Sequence, residues 1–231
     1  MSVYNREKDY LAFLAEKECR VEELAARLFV SEPTVRRDIV SLRERGLVEC
    51  RRGVVRLCAD APDRRIPLVL RDTTNQEAKL CIAKAAAAHV RDGYTVMLDA
   101  SSTSYALLSY LGEFKNLFVI TSGARAAIAL AAMGIRTLCT GGELARESFS
   151  FIGPDAEQTL ARYNADVAFF SCRGLDAEGN ATDSSIMENA IRRIMIRNAR
   201  QSFLLCDKSK RGKRYLNTLC NVRELNGVIE D

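Results

Sequence analysis

The chain holds 231 residues, 48% hydrophobic and 28% charged, with a formal net charge of +4. That length suits a small domain plus a larger one, and the balance excludes extensive disorder. So mild a positive charge does not by itself indicate nucleic acid, and no apolar run approaches a membrane span.

Charges begin at once in MSVYNREKDY, with no apolar leader, so a cytoplasmic protein without membrane contact is expected. The eight cysteines show no CxxC spacing, and His89 is the only histidine. They read as reduced, mostly buried small hydrophobes; a metal site lacks paired ligands.

Residues 5–18 read as a first helix, packing Tyr10, Leu11 and Leu14 on the helical pair next in the chain. Residues 21–45 read as that pair, two short helices around a tight turn. Leu24 and Leu28 lie four apart on the first. Val35, Ile39 and Leu42 fall on one face of the second, at i, i+4 and i+7. Phe29 and Val30 form an apolar turn, and Ser31 is an N-cap whose hydroxyl can accept from the Thr34 amide. Pro33 is tolerated because first-turn amides have no intrahelical partner.

With Val35, Ile39 and Leu42 buried, Pro33, Thr34, Arg37 and Ser41 occupy the opposite face, flanked by Arg36. A solvated helical hairpin would look similar. Yet Arg and Thr near an exposed helix N-terminus suit major-groove reading, where Arg can fork onto guanine. Gly46 reads as the helix C-cap. LVEC and VVRL then flank Arg51-Arg52-Gly53, a hairpin expected to turn on three residues. A helix-turn-helix followed by a basic-tipped hairpin is a winged helix. From Arg36 to Arg56 seven arginines face three acidic residues, an excess of four positive charges suited to double-stranded DNA.

Val30-Ser31 and Thr34-Val35-Arg36-Arg37-Asp38-Ile39 match the signature of the DeoR family of bacterial transcriptional regulators, which the segment closely resembles. The family's wing usually reads Arg-x-His-Gly-Gly-Ala; here it reads Arg51-Arg52-Gly53-Val54-Val55. DNA contacts implied by the resemblance and by the face argument fall on Ser31, Pro33, Thr34, Arg36, Arg37, Ser41, Arg51 and Arg52.

The expected boundaries are 1–57 for the winged domain, 58–75 for a linker carrying Pro62 and Pro67, and 76–231 for a larger domain. Arg71, Asn75 and Lys79 match the family's entry into that domain. Helices are expected at 76–91, 103–111, 124–133, 154–162 and 185–200. Strands are expected at 94–98, 117–120, 135–139, 166–171, 202–206 and 227–230. Apolar strands alternating with helices imply a parallel sheet covered on both sides, Rossmann-like in architecture. No GxGxxG occurs, so a dinucleotide reading has little support, and no cofactor is expected.

Ligands in such sheets sit beyond the carboxyl ends of strands. There the chain places Asp99 with Ser101, Ser102 and Thr103; Thr121-Ser122-Gly123; Gly141-Gly142; and Asp207-Lys208-Ser209-Lys210. One hydroxyl cluster at a helix start is commonly a plain cap. Two at successive strand ends, with a lysine at a third, point to a phosphate cradle with Lys208 as its cation. Asp99, Asp176 and Glu188 can be read as acid–base groups or as structural carboxylates.

These stations, with Asp166-Val167-Ala168-Phe169 and Gly174-Leu175-Asp176, resemble the DeoR-family effector domain, similar in fold to ribose-phosphate isomerases. The resemblance implies a non-enzymatic transcription regulator, a repressor, controlled by a phosphorylated sugar or related metabolite; one helix-turn-helix makes too few contacts for good specificity, so a homodimer or homotetramer is expected. Two rivals stay open: a working sugar-phosphate isomerase with a DNA-binding appendage, and a helix-turn-helix adaptor that binds protein alone.

Overall fold

The computed structural model describes residues 6, 9–11, 13–14, 17–44, 47–58, 71 and 74–231. The Gly46 cap, Pro62, Pro67 and most of the expected linker lie outside them. The chain divides into two compact units, Met1–Thr74 and Asn75–Asp231.

In the first unit, helical residues carrying Tyr10, Leu11 and Leu14 precede β1 (Cys19–Arg20), α1 (Val21–Leu28), α2 (Glu32–Glu44), β2 (Val48–Arg51) and β3 (Val54–Leu57). The 3.6-residue repeat sets the packing: Leu24, Leu28, Val35, Ile39 and Leu42 are buried together with Tyr10, Leu11, Val48 and Val55. The turn between α1 and α2 departs from expectation. Phe29 takes a left-handed φ of 54° and is 95% exposed, so only Val30 packs inward. At α2 the Thr34 amide donates to the Ser31 carbonyl at 3.0 Å, while the two hydroxyls pair with each other at 3.0 Å.

The wing turns on two residues, not three. Arg51 pairs with Val54, leaving Arg52 (φ 50°) and Gly53 (φ 78°) as the loop. Two positive φ values make a turn whose twist matches the flanking strands. β1 adds a third strand, in the order β1-β3-β2.

The second unit begins with α3 (Gln76–Ala87) and β4 (Thr95–Leu98), then α4 (Ser102–Ala106), α5 (Leu108–Leu111), β5 (Phe118–Thr121), α6 (Ala124–Ala132) and β6 (Arg136–Cys139). It continues through β7 (Glu143–Ala145), β8 (Ser150–Ile152), α7 (Pro154–Ala161), β9 (Ala165–Ser171), β10 (Gly174–Leu175) and β11 (Asn180–Asp183). Last come α8 (Ile186–Asn198), β12 (Ala199–Leu205), β13 (Asn217–Asn221) and β14 (Gly227–Ile229). The main sheet runs β14-β12-β9-β4-β5-β6, every pairing parallel.

Alternate residues of each strand feed opposite cores. Val96, Leu98, Val167, Phe169, Phe203 and Leu205 meet α3, α5 and α6. Met97, Ala168, Phe170 and Leu204 meet α7 and α8. Burial on both faces is why these strands read as unbroken apolar runs. The chain steps from β4 to β5 to β6, then returns to lay β9 on the other side of β4. That reversal puts the topological switch point between β4 and β9, where open α/β sheets leave a crevice at the strands' carboxyl ends. A second sheet, β10-β11-β13, and the hairpin β7-β8 complete the unit. No helix among the described residues is long and apolar enough to cross a membrane.

Candidate functional site

On α2, Ser31, Pro33, Arg36, Arg37 and Ser41 are exposed and Thr34 is half-buried, so the face expected to read bases is solvent-facing. Arg36 leans back to Glu32 at 3.1 Å, a pair exposed enough for a competing phosphate to displace. Arg51 and Arg52 are exposed at the wing. Glu49 accepts from Arg56 at 2.8 Å and lies 3.7 Å from Arg51.

Asp38, beside Arg37, has a different task. Its Oδ2 accepts from Arg6 at 3.1 Å and from the Tyr10 hydroxyl at 3.2 Å, holding the first helical residues against α2. Burial, with Asp38 alongside, pushes the Tyr10 hydroxyl up to about 12. In the sequence Asp38 is legible only as part of a signature.

At the switch point, Asp99 ends β4 and is buried. One carboxylate oxygen accepts from the Ser101 amide (3.1 Å) and the Ser104 hydroxyl (2.6 Å). The other accepts from the Ser171 amide (3.2 Å) and Arg192 Nε (2.9 Å). Arg192, on α8, carries no expectation from the sequence. It is buried and also meets Asp183 at 2.8 Å and Glu188 at 3.1 Å. Burial opposes its charge, but Asp183, Asp99 and Glu188 outweigh that and raise its pKa above the usual arginine value.

Asp99 and Glu188 are thus brought together, as two of the three carboxylates around one guanidinium. Asp176 is not part of that group. It accepts the Glu178 and Asn180 amides at 3.0 and 2.8 Å and closes the β10–β11 turn; those backbone bonds hold its pKa below the ordinary range.

The hydroxyl loops do adjoin. Ser101 caps α4 by accepting from the Ser104 amide at 3.1 Å, and Ser102 and Thr103 are buried beside it. Thr121 accepts the Gly123 amide at 3.0 Å. A Cβ on Gly123 would stand 3.1 Å from Ala100 Cα, so the β4 and β5 loops pack backbone to backbone there. Ser122 is buried, its carbonyl accepting from Phe151 at 2.7 Å. Gly141 and Gly142 both take positive φ, and a Cβ on Gly142 would come within 2.8 Å of the Ile152 carbonyl. That close approach explains the second glycine without a ligand. In the loop before β8, the buried Ser148 hydroxyl finds no hydrogen-bond partner among the described residues. The neighbouring Phe149 carbonyl accepts from Ala124 at 3.0 Å, at the start of α6.

Lys208, expected as the cation, is 67% exposed and lies 3.9 Å from Asp231. Lys210 takes the inner place. Its Nζ is 2.8 Å from Ser171 Oγ, 3.5 Å from Thr103 Oγ1 and 3.3 Å from Asp207, with the side chain 18% exposed. Asn75, at the start of α3, fixes the turn by donating to Asp207 (3.2 Å) and Ser209 (3.1 Å). Burial works against the Asp207 carboxylate, yet Lys210, Ser209 and Asn75 hold its pKa below the usual range. Lys210 thereby reaches the ends of both β4 and β9. Among the described residues, no cluster of metal-binding side chains occurs.

An exposed helix-turn-helix face in one unit and a cluster of hydroxyl, carboxylate and lysine side chains at the switch-point strand ends in the other are the parts of a DNA-binding regulator with a sensor unit. The DeoR-like helix-turn-helix domain matches residues 9–61, and the DeoR C-terminal sensor domain matches residues 74–231. The chain belongs to the DeoR family of transcriptional regulators. The uncharacterised helix-turn-helix-type regulator YulB of Bacillus subtilis is 34% identical over 92% of this chain and 82% of its own length. A putative aga operon transcriptional repressor of Escherichia coli O157:H7 is 28% identical over 92% of this chain and 80% of its own. Among solved structures, ribose 5-phosphate isomerase A of Methanocaldococcus jannaschii aligns over 60% of this chain and 55% of its own, at 21% identity and a TM-score of 0.45.

Proposed function

We propose that this regulator is a repressor whose hold on operator DNA is set by a phosphorylated sugar bound at the mouth between β4 and β9. The observation that carries the reading is the Lys210 ammonium, held across that mouth between Thr103 and Ser171. A phosphate takes the ammonium as a point charge and the loop hydroxyls as further donors. Ser101, Ser102, Thr103, Thr121, Ser122 and Gly123 form the surrounding segments.

Asp99 and Glu188 hold Arg192 in place rather than moving protons, because one oxygen of each is bonded to its guanidinium and the other Asp99 oxygen is taken by Ser101 and Ser104. Binding without turnover is the consequence. The protein acts in the cytoplasm, on double-stranded DNA. Thr34, Arg37 and Ser41 face base edges, with Ser31, Pro33 and Arg36 at the helix start. Arg51 and Arg52 grip the phosphate backbone from the wing. One helix-turn-helix makes few contacts, so two or four copies read repeated half-sites. The effector shifts DNA affinity only through its different affinity for the competent and incompetent arrangements.

The test is operator selection from a random duplex library, followed by anisotropy titration with sugar phosphates and their unphosphorylated sugars. A phosphorylated sugar should change operator affinity by roughly 5- to 150-fold, while its parent sugar does not. Equal effects of the two, or turnover of the sugar phosphate, would replace this reading.

A further inference from the structure

Cys172 and Cys206 lie outside the effector chemistry, yet each adjoins it. In the β9–β12 register Ser171 stands opposite Leu205, so Cys172 and Cys206 come side by side at the same strand ends. Neighbouring strands set their Cα atoms about 5 Å apart, within the span of a disulfide. Both side chains enter the same core, 5% and 0% exposed, and both are free thiols. The Cys206 thiol donates to the Asp207 carbonyl at 3.6 Å, which ties it to the turn that carries Lys210. Each cysteine is also the chain neighbour of one of Lys210's anchors: Cys172 follows Ser171, and Cys206 precedes Asp207.

We infer that Cys172 and Cys206 are a redox-convertible pair, closed to a disulfide by a hydroperoxide, and that closure unseats Lys210. The adjoining Cys206 thiol, with the charges of Lys210 and Arg192, lowers the pKa of Cys172 against the effect of burial, while that of Cys206 is raised. Cys172 is therefore the more acidic, attacking sulfur and Cys206 the resolving thiol. The Cys172 sulfur attacks one peroxide oxygen and the O–O bond breaks. A sulfenic acid forms, and the departing hydroxide takes up the Cys172 proton as water. Cys206 sulfur then attacks the sulfenic sulfur; the S–O bond breaks and the Cys206 proton leaves with that oxygen as a second water. Two thiols are oxidised by two electrons and the peroxide is reduced by two. Drawing the sulfurs to bonding distance breaks the Cys206 bond to the Asp207 carbonyl and pulls on Ser171 and Asp207 together. The consequence for ligand rests on the proposed phosphate crevice; the bond itself does not.

The experiment treats the full chain with hydrogen peroxide, blocks remaining thiols and maps linked peptides by mass spectrometry. Hydrogen exchange over residues 207–211 and titration with inorganic phosphate are then run on reduced and oxidised protein. A reductant-reversible Cys172–Cys206 peptide is expected. Exchange at 207–211 should be faster after oxidation, and phosphate binding at least about tenfold weaker, as loss of a charge-assisted bond implies. Cys206→Ser should stop at a sulfenic acid trapped by dimedone at Cys172. Oxidation of exposed Cys81 without the linked peptide would overturn the pair. A linked peptide with unchanged exchange at 207–211 would overturn the coupling to Lys210. If neither form binds phosphate while peptide and exchange behave as expected, the effector reading falls and the thiol pair stands.

Discussion

Replacing Lys210 by alanine separates the crevice reading from its nearest alternative, which is the neighbouring Lys208. Lys210 has its ammonium within 3.5 Å of Thr103 and Ser171 and within 3.3 Å of Asp207, and only 18% of its side chain is exposed. In such a setting a charge-assisted bond to phosphate is worth about 1.5–3 kcal/mol, or roughly 10- to 150-fold in affinity. Lys208 is 67% exposed and 3.9 Å from its carboxylate partner. A pair that open contributes about 0–1 kcal/mol, so Lys208→Ala should leave effector affinity within about fivefold. The assay is calorimetric titration of both variants and the parent with a sugar-phosphate panel. Thermal melts should accompany it, because Lys210→Ala also strands the Asp207 carboxylate. Operator affinity without effector should stay nearly unchanged. If Lys208→Ala weakens binding and Lys210→Ala does not, the cation has been misplaced. If a parent sugar binds as tightly as its phosphate, the cradle does not bind phosphate at all.

Four further outcomes are expected. Arg37→Ala should cost about 1–3 kcal/mol on the selected operator and relax the preference at one base pair; an unchanged binding curve with intact circular dichroism removes Arg37 from the readers. Arg51→Ala with Arg52→Ala should weaken selected and random DNA alike and flatten the salt slope by up to about two units, whereas loss confined to the selected sequence would mean that the wing reads bases or shape. Arg192→Ala leaves Asp99, Asp183 and Glu188 uncompensated and should cost about 3–5 kcal/mol in urea unfolding of the sensor unit, and a loss under about 1 kcal/mol would refute the hub. Asp207 has a folded pKa below its unfolded value near about 3.9, so its contribution is complete above that pH and is lost as pH falls further; Asp207→Asn should flatten the acid limb of the stability curve, and an unchanged limb would count against it.

Where the sequence carries a strong period, the architecture can be read directly. Val35, Ile39 and Leu42 can share only one helix face, and the six apolar strands have to be covered on both sides. The exceptions have local causes. β11 and β13 read NATD and NTLCN, with turn-forming residues where strands are usually branched or aromatic, so neither is expected as a strand. α8 stops at Asn198 and β12 starts at Ala199 without a loop, leaving no punctuation to mark the change. The expected helix 103–111 divides at Leu107. Arg52 occupies a left-handed position more usual for Asn or Gly, which disguises a two-residue turn as a three-residue one.

The site is legible as a set of strand ends but not as a set of side chains, and the lysine shows why. Residues 208–210 form a single turn of 3₁₀ helix that follows directly on Asp207. In that helix, side chains three apart eclipse one another, so Lys210 lies on the same side as Asp207. Asp207 is buried, held by Asn75, and its side faces the sheet end. Lys208, one position along, is turned about a third of the way round, toward solvent and Asp231. Counting from the carboxylate rather than from the strand end selects Lys210. Arg192 lacks any such signal: it sits among IRRIMIRN on a helix, 93 residues from Asp99, and only the pairing of β4 with β9 beneath α8 brings the two within 2.9 Å. Local spacing can select a residue within a turn, but a charge cluster assembled from β4, β11 and α8 exists only once the sheet order is known.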